Sequence, residues 1–159
     1  MNSLLHTLPH LLPIAEAFVA EHEKIILARG EALTAFELTD ARAAGVKHPE
    51  KIRVLRIDQL PLPERDEVLF IAKRMGLFQT TSAGLALHYG IYMQRPFWND
   101  RQRLVHEFVH VAQYERMGGV RAFLEAYLRE SLDPGFPFGR LNQEAEHVSE
   151  HICKPASAE

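Results

Sequence analysis

Five consecutive residues, His106-Glu107-Phe108-Val109-His110, hold the clearest capacity for chemistry in this chain. On an α-helix, residues four apart lie one above the other, so a helix here presents both imidazoles to a single point. Imidazole nitrogens bind zinc at about 2.0–2.1 Å, and a catalytic zinc keeps one position open for water. Glu107, beside the first histidine, reaches that water rather than the metal and can act as its general base. The spacing therefore predicts a hydrolytic, peptidase-like site with one Zn²⁺ per chain, acting on a peptide or protein. With nine His and sixteen Glu among 159 residues, a shuffled chain would contain the pattern about 5% of the time. Its flanks separate it from chance: Leu104, Val105, Phe108, Val109 and Val111 would seat the helix in a core.

Such a site needs a third protein ligand. Zincins that extend the motif as H-x-x-G-x-x-H are excluded, because Gln113 stands at the glycine position and Arg116 at the histidine position. A later segment, Asn142 to His151, offers Glu144, Glu146, His147 and His151. On a helix Glu146 points about 200° away from Glu144, so the two cannot share the role, whereas His147 and His151 lie on the Glu144 face as supporting or alternative donors. Gln113 is a candidate to support a ligand. Tyr114, four residues after His110, faces the metal side and is a candidate donor to a developing oxyanion.

Two other readings use the same letters. Glu107-x-x-His110 and Glu144-x-x-His147 are two Glu-x-x-His units, as in ferritin-like di-iron carboxylate bundles, with Glu16 or Glu23 and Glu67 completing the set. Strand patterns elsewhere in the chain and the extra His106 speak against it. A non-catalytic binding module stapled by zinc is the other; the intact Glu107 speaks for catalysis, since a staple has no use for a base.

The elements that must position these residues are legible as patterns. Apolar residues at helical spacing predict an amphipathic helix from Pro13 to Arg29, capped at Gly30, and a shorter helix from Thr34 to Ala44 that stops at Gly45. Residues 51–57 alternate as a strand, Leu60-Pro61-Leu62-Pro63 is a stiff connector, and Glu64 to Met75 is a helix closed by Gly76. Residues 83–93 alternate with period 2 and predict one strand preceding the motif helix, a candidate for binding an extended peptide by strand addition. The motif helix starts at an Asn99 or Asp100 cap and breaks at Gly118-Gly119. Helices over Val120 to Ser131 and Leu141 to Cys153 flank a turn-rich loop at 133–139, and 154–159 reads as a flexible tail. The expected class is α+β, helix-dominated with a small sheet, in a single domain over 1–159 that opens with an N-terminal helical segment (1–30).

Composition bounds the setting. A charge of -3, with 18 Lys and Arg dispersed among 21 acids, excludes the basic stripe of a nucleic-acid binder. The leucine-rich start lacks a basic n-region, and Pro9, His10, Pro13 and Glu16 interrupt it, so neither a signal peptide nor a membrane span is expected. The lone Cys153 forms no internal disulfide. A cytoplasmic protein is the expectation.

Ala83-Gly84-Leu85, Tyr89-Gly90-Ile91-Tyr92 and Leu104 to Arg116 together resemble small bacterial zincin-like proteins. Gly118 to Leu124 matches their Gly-Gly-hydrophobic-Arg-x-Phe-Leu stretch, and Leu141 to Ala145 their closing Leu-x-x-Glu-Ala. A weaker likeness reaches back through Leu60-Pro61-Leu62-Pro63 and Arg53-Val54-Leu55 to about Thr39, so roughly two thirds of the chain is covered. The resemblance implies a minimal gluzincin core: an active-site helix, a glutamate helix and a small sheet whose edge strand lines the cleft. It also implies that Glu144, in its Glu-Ala pair, is the third zinc ligand.

Overall fold

The computed structural model describes residues 5–74, 83–135 and 137–155. Among these the chain runs α1 (Leu8–Arg29), β1 (Glu31–Ala32), α2 (Ala35–Ala43), β2 (Arg53–Ile57), α3 (Asp66–Arg74), β3 (Gly84–Leu87), β4 (Gly90–Gln94), α4 (Arg101–Met117), α5 (Val120–Glu130) and α6 (Arg140–Cys153). This is the expected helix-dominated α+β architecture with a small sheet.

Local chemistry sets most helix ends. Asp100 accepts the Arg103 N–H at 3.1 Å and caps α4, and Gly118, at φ 93°, closes it in the left-handed conformation that a side chain disfavours. Thr34 and Glu37 exchange side chain-to-backbone hydrogen bonds at the start of α2, a capping box. The first helix begins earlier than its pattern predicts, at Leu8 rather than Pro13. Pro9 sits in its first turn, where a missing N–H costs nothing, and Pro13 lies inside the helix. Leu8, Leu11 and Leu12 are buried there, so apolar packing offsets the single hydrogen bond that Pro13 removes. The expected end of the third helix at Met75 and Gly76, and the tail beyond Pro155, lie outside the described residues.

The sheet has the order β1-β2-β4-β3, with β2 parallel to β4 and the other pairs antiparallel. Here the structure corrects one expectation. Residues 83–93 are not one strand but a hairpin, β3 turning into β4 through His88 and Tyr89, with Leu87 opposite Gly90 and Leu85 opposite Tyr92. His88 takes φ 60°, the positive value that a two-residue hairpin loop requires at its first position. The apolar alternation runs unbroken through the turn, and neither turn residue is Gly, Asn or Pro, so the pattern hides the reversal.

Both faces of the sheet are covered. Val54, Ala86, Ile91 and Met93 pack with Val105, Phe108, Val109 and Val111 of α4 and with Ala145 of α6. On the other face Leu87 and Tyr92 pack with Leu12, Val19 and Ile26 of α1 and with Phe123 and Leu128 of α5. Gly90 permits this: a Cβ there would stand 2.9 Å from the Ile26 Cβ. Among the described residues no helix is long and apolar enough to cross a membrane. Helix α4 thus runs between the sheet and α6, its residues 107 to 114 all buried.

Candidate metal centre

Helical phase brings His106 and His110 together as the spacing predicts. Their Nε2 atoms lie 3.2 Å apart, with the rings inclined at 75°. Two nitrogens bound tetrahedrally at zinc distances stand about 3.3 Å from each other, so the pair already has the spacing of two ligands to one ion.

The partners of the rings decide what those nitrogens carry. His110 Nδ1 lies 2.8 Å from Gln113 Oε1. Gln113 Nε2 donates to the Leu141 carbonyl at 3.0 Å and to Glu144 Oε1 at 3.1 Å. Turning the amide over would set its oxygen against two acceptors, so the oxygen faces His110 and His110 Nδ1 must carry the proton. Its Nε2 is then a bare lone pair. Burial, with His106 beside it, pushes His110 down to about 3, so the ring is neutral at ordinary pH.

His106 is the outer member, with its side chain 12% exposed. Glu146 Oε1 lies 2.9 Å from its Nδ1, at ion-pair distance but out of line for a hydrogen bond. Burial lowers His106, yet the Glu146 contact and the charges of Glu107 and Glu146 outweigh it and raise its pKa.

Glu107 is buried beside the pair, against β3. Burial pushes its carboxyl up, while the His106 charge and a hydrogen bond from the Ala86 backbone pull it partly back. Gly84 makes room for it: a Cβ at Gly84 would lie 3.3 Å from Glu107 Cγ and 2.7 Å from Met93 Sδ. Tyr114, also from α4, donates its hydroxyl to the Ala86 carbonyl at 3.2 Å and stacks on Phe123. It lies fully inside the core with its hydroxyl committed, which removes it as the oxyanion donor. Tyr127, which the sequence did not single out, stands edge-on to His110 with ring centroids 5.6 Å apart. Burial and the Glu107 charge push its phenol up, so this hydroxyl shares the electrostatic surroundings of Glu107.

The Ala86 contacts bear on one position of the edge at which strand addition is expected. Gln94 N–H bonds to the Ala83 carbonyl, so by antiparallel alternation Ala83, Leu85 and Leu87 turn inward to β4 and Ala86 turns its peptide groups to the free edge. Those groups are taken by Glu107 and Tyr114. An added strand would have to displace these contacts or pair at Gly84, whose peptide groups turn to the same edge.

Glu144 is not brought to the histidine pair. Its carboxylate lies behind His110, bound by Gln113 and by Arg116 Nη2 at 3.0 and 3.3 Å. Helix α6 packs against α4 so that Glu146 meets His106 and Glu144 meets Gln113. His147 and His151 are exposed. Among the described residues no three His, Cys, Asp or Glu side chains are grouped to hold a metal. The pair therefore fits two of the three protein positions of a catalytic zinc, and the third is not filled by Glu144. Nor, among the described residues, do two Glu-x-x-His units converge: His147 is exposed, Glu144 is bound by Gln113 and Arg116, Glu16 is held by Arg121 and Glu23 by His88, and the Glu67 side chain lies outside the described residues.

Comparison with protein-family models, with curated proteins and with solved structures found no significant match.

Proposed function

We propose that this protein is a zinc-dependent hydrolase of the zincin kind, acting on peptide bonds, with His106 and His110 as metal ligands and Glu107 as general base. One observation carries the reading: His110, held neutral with its proton on Nδ1, turns a bare Nε2 toward the Nε2 of His106 at 3.2 Å. Nitrogens at that distance are bridged by a shared proton or by a shared cation, and zinc would take the place of any proton that His106 Nε2 carries. A bound zinc would supply Lewis acidity and an activated water. Glu107 would take a proton from that water and return it to the leaving amine, a role that suits a carboxylate whose pKa burial has raised. The Ala86 backbone and the gap at Gly84 hold this carboxylate in place. Peptide as the substrate rests on the likeness of the motif to zincins, and the lone Cys153 fits a cytoplasmic setting.

The test is metal content and turnover together. Purified protein is expected to hold one zinc and to cleave members of a mixed peptide library. Glu107→Gln is expected to keep the zinc and lose about 10²–10⁴-fold in rate. Zinc-loaded Glu107→Gln that cleaves as fast as the parent would sink the proposal.

A further inference from the structure

We infer that Gln113 is a positioning residue that fixes which nitrogen of His110 faces the metal, and that Glu144 anchors this amide instead of ligating. The inference rests on the reading of the histidine pair as a metal seat, and it reassigns the carboxylate that the sequence resemblance makes the third ligand.

The chain of contacts runs outward from the core to the surface. His110 Nδ1–H donates to Gln113 Oε1 at 2.8 Å, and Gln113 Nε2 donates to Leu141 O at 3.0 Å and to Glu144 Oε1 at 3.1 Å. Arg116 then grips both Glu144 oxygens. Gln113 is completely buried, where an amide with unmet hydrogen bonds is costly. With both its protons and its oxygen used, it has a single favourable orientation. That orientation makes Gln113 an acceptor toward His110, so the proton sits on Nδ1 and the lone pair on Nε2. A neutral imidazole in water has no such constraint.

Glu144 is suited to this task and not to ligation. Its acceptor oxygen faces Gln113 on the Nδ1 side of His110, opposite the Nε2 that meets His106. To become a ligand it would have to leave Arg116 and release the amide that orients His110. Two members of α6, the Leu141 carbonyl and the Glu144 carboxylate, thus hold a ligand of α4 through one intermediary. Partners of this kind behind a metal-binding histidine typically contribute 10–100-fold in affinity.

The experiment uses the full chain with ¹⁵N-labelled histidine. Long-range ¹H–¹⁵N spectra of the metal-free protein are expected to show His110 protonated at Nδ1. In Gln113→Met, which keeps the volume and removes the hydrogen bonds, they are expected to show the Nε2–H tautomer populated. Zinc affinity, measured against a chromophoric chelator, is expected to fall about 10–100-fold in that variant. Glu144→Gln still offers an oxygen to Gln113, so tautomer and zinc affinity are expected to match the parent.

An Nε2–H tautomer in the metal-free parent overturns the inference without any variant, so it stays testable even if Gln113→Met does not fold. Loss of zinc by orders of magnitude in Glu144→Gln also overturns it, since only a ligand would behave so. A parent that binds no zinc at all defeats the metal reading and not the tautomer assignment, which the metal-free spectra decide separately.

Discussion

Two corners of this molecule are built from the same residue types and end in opposite states. At the hairpin turn, Glu23 of α1 accepts from His88 Nδ1 at 2.8 Å and from the Tyr89 N–H at 2.9 Å. Tyr89 donates its hydroxyl to Glu115 at 2.8 Å, and Glu115 also accepts the N–H groups of Lys47 and His48. Lys51 Nζ lies 5.5 Å above the Tyr89 ring. Each carboxylate there is met by donors from other elements, and the network fastens α1, the turn, α4 and the 47–51 segment together. In the pocket of α4, by contrast, His110 directs its protonated nitrogen to Gln113, His106 Nδ1 stands 2.9 Å from Glu146 without a hydrogen bond, and the two Nε2 atoms face each other at 3.2 Å. What distinguishes a candidate reactive site from a structural clasp is not the presence of His and Glu but which lone pairs remain unspent.

That contrast can be broken by exchanging the damage. The largest expected difference is between His110→Ala and His88→Ala. Loss of His110 is expected to abolish zinc binding, because it removes one of two assembled ligands. Loss of His88 is expected to leave zinc binding intact and to lower stability by about 1–3 kcal/mol, since a non-glycine residue at φ 60° loses the Glu23 contact that holds it there. Chelator competition and denaturant titration on both variants decide this, and zinc loss in His88→Ala would merge the two corners into one site.

A smaller effect is expected at Tyr89→Phe. Glu115 keeps its two backbone donors, so the lost hydroxyl should cost about 1 kcal/mol in urea unfolding and nothing in zinc affinity.

The smallest effect is a pH dependence of the clasp. Burial pushes the Glu23 carboxyl up, but hydrogen bonds from His88 and Tyr89 and the charge of His88 outweigh it and hold it below its ordinary value of 4.5. A carboxylate lowered by folding contributes stability that is full above that ordinary value and is lost as the pH falls through the lowered one. Glu23→Gln is therefore expected to lower stability at neutral pH and to shed part of the loss between pH 5 and the acid limit that the parent shows. An unchanged acid limb in Glu23→Gln would show that the clasp does not depend on this carboxylate's charge.

Relations within one helix are legible from spacing alone. The convergence of His106 and His110 follows from a 3.6-residue turn, and so does the separation of Glu144 from Glu146 on α6. The Asp100 cap and the Gly118 stop of α4 follow from unmet N–H groups and a left-handed residue. These are local rules, and tertiary packing left them standing. The hairpin at 83–94 was not readable, because a period-2 pattern survives a two-residue turn unchanged and His88-Tyr89 lacks the usual turn residues. Helical phase places Tyr114 on the metal-facing side, but phase says only which stripe a residue occupies. Ala86 and Phe123, distant in the chain, claimed it.

By itself, then, the sequence determined that two imidazoles and a carboxylate would share one face and one turn of a buried helix, since that follows from bond geometry along a single element. Only the tertiary structure decided what stands behind each of them. The packing of α6 on α4 set Glu146 beside His106 and Glu144 behind Gln113, and the edge of β3 took Glu107 and Tyr114. Which of several nearby donors meets a given nitrogen depends on the rotation and offset of two helices, and no spacing within either helix encodes that.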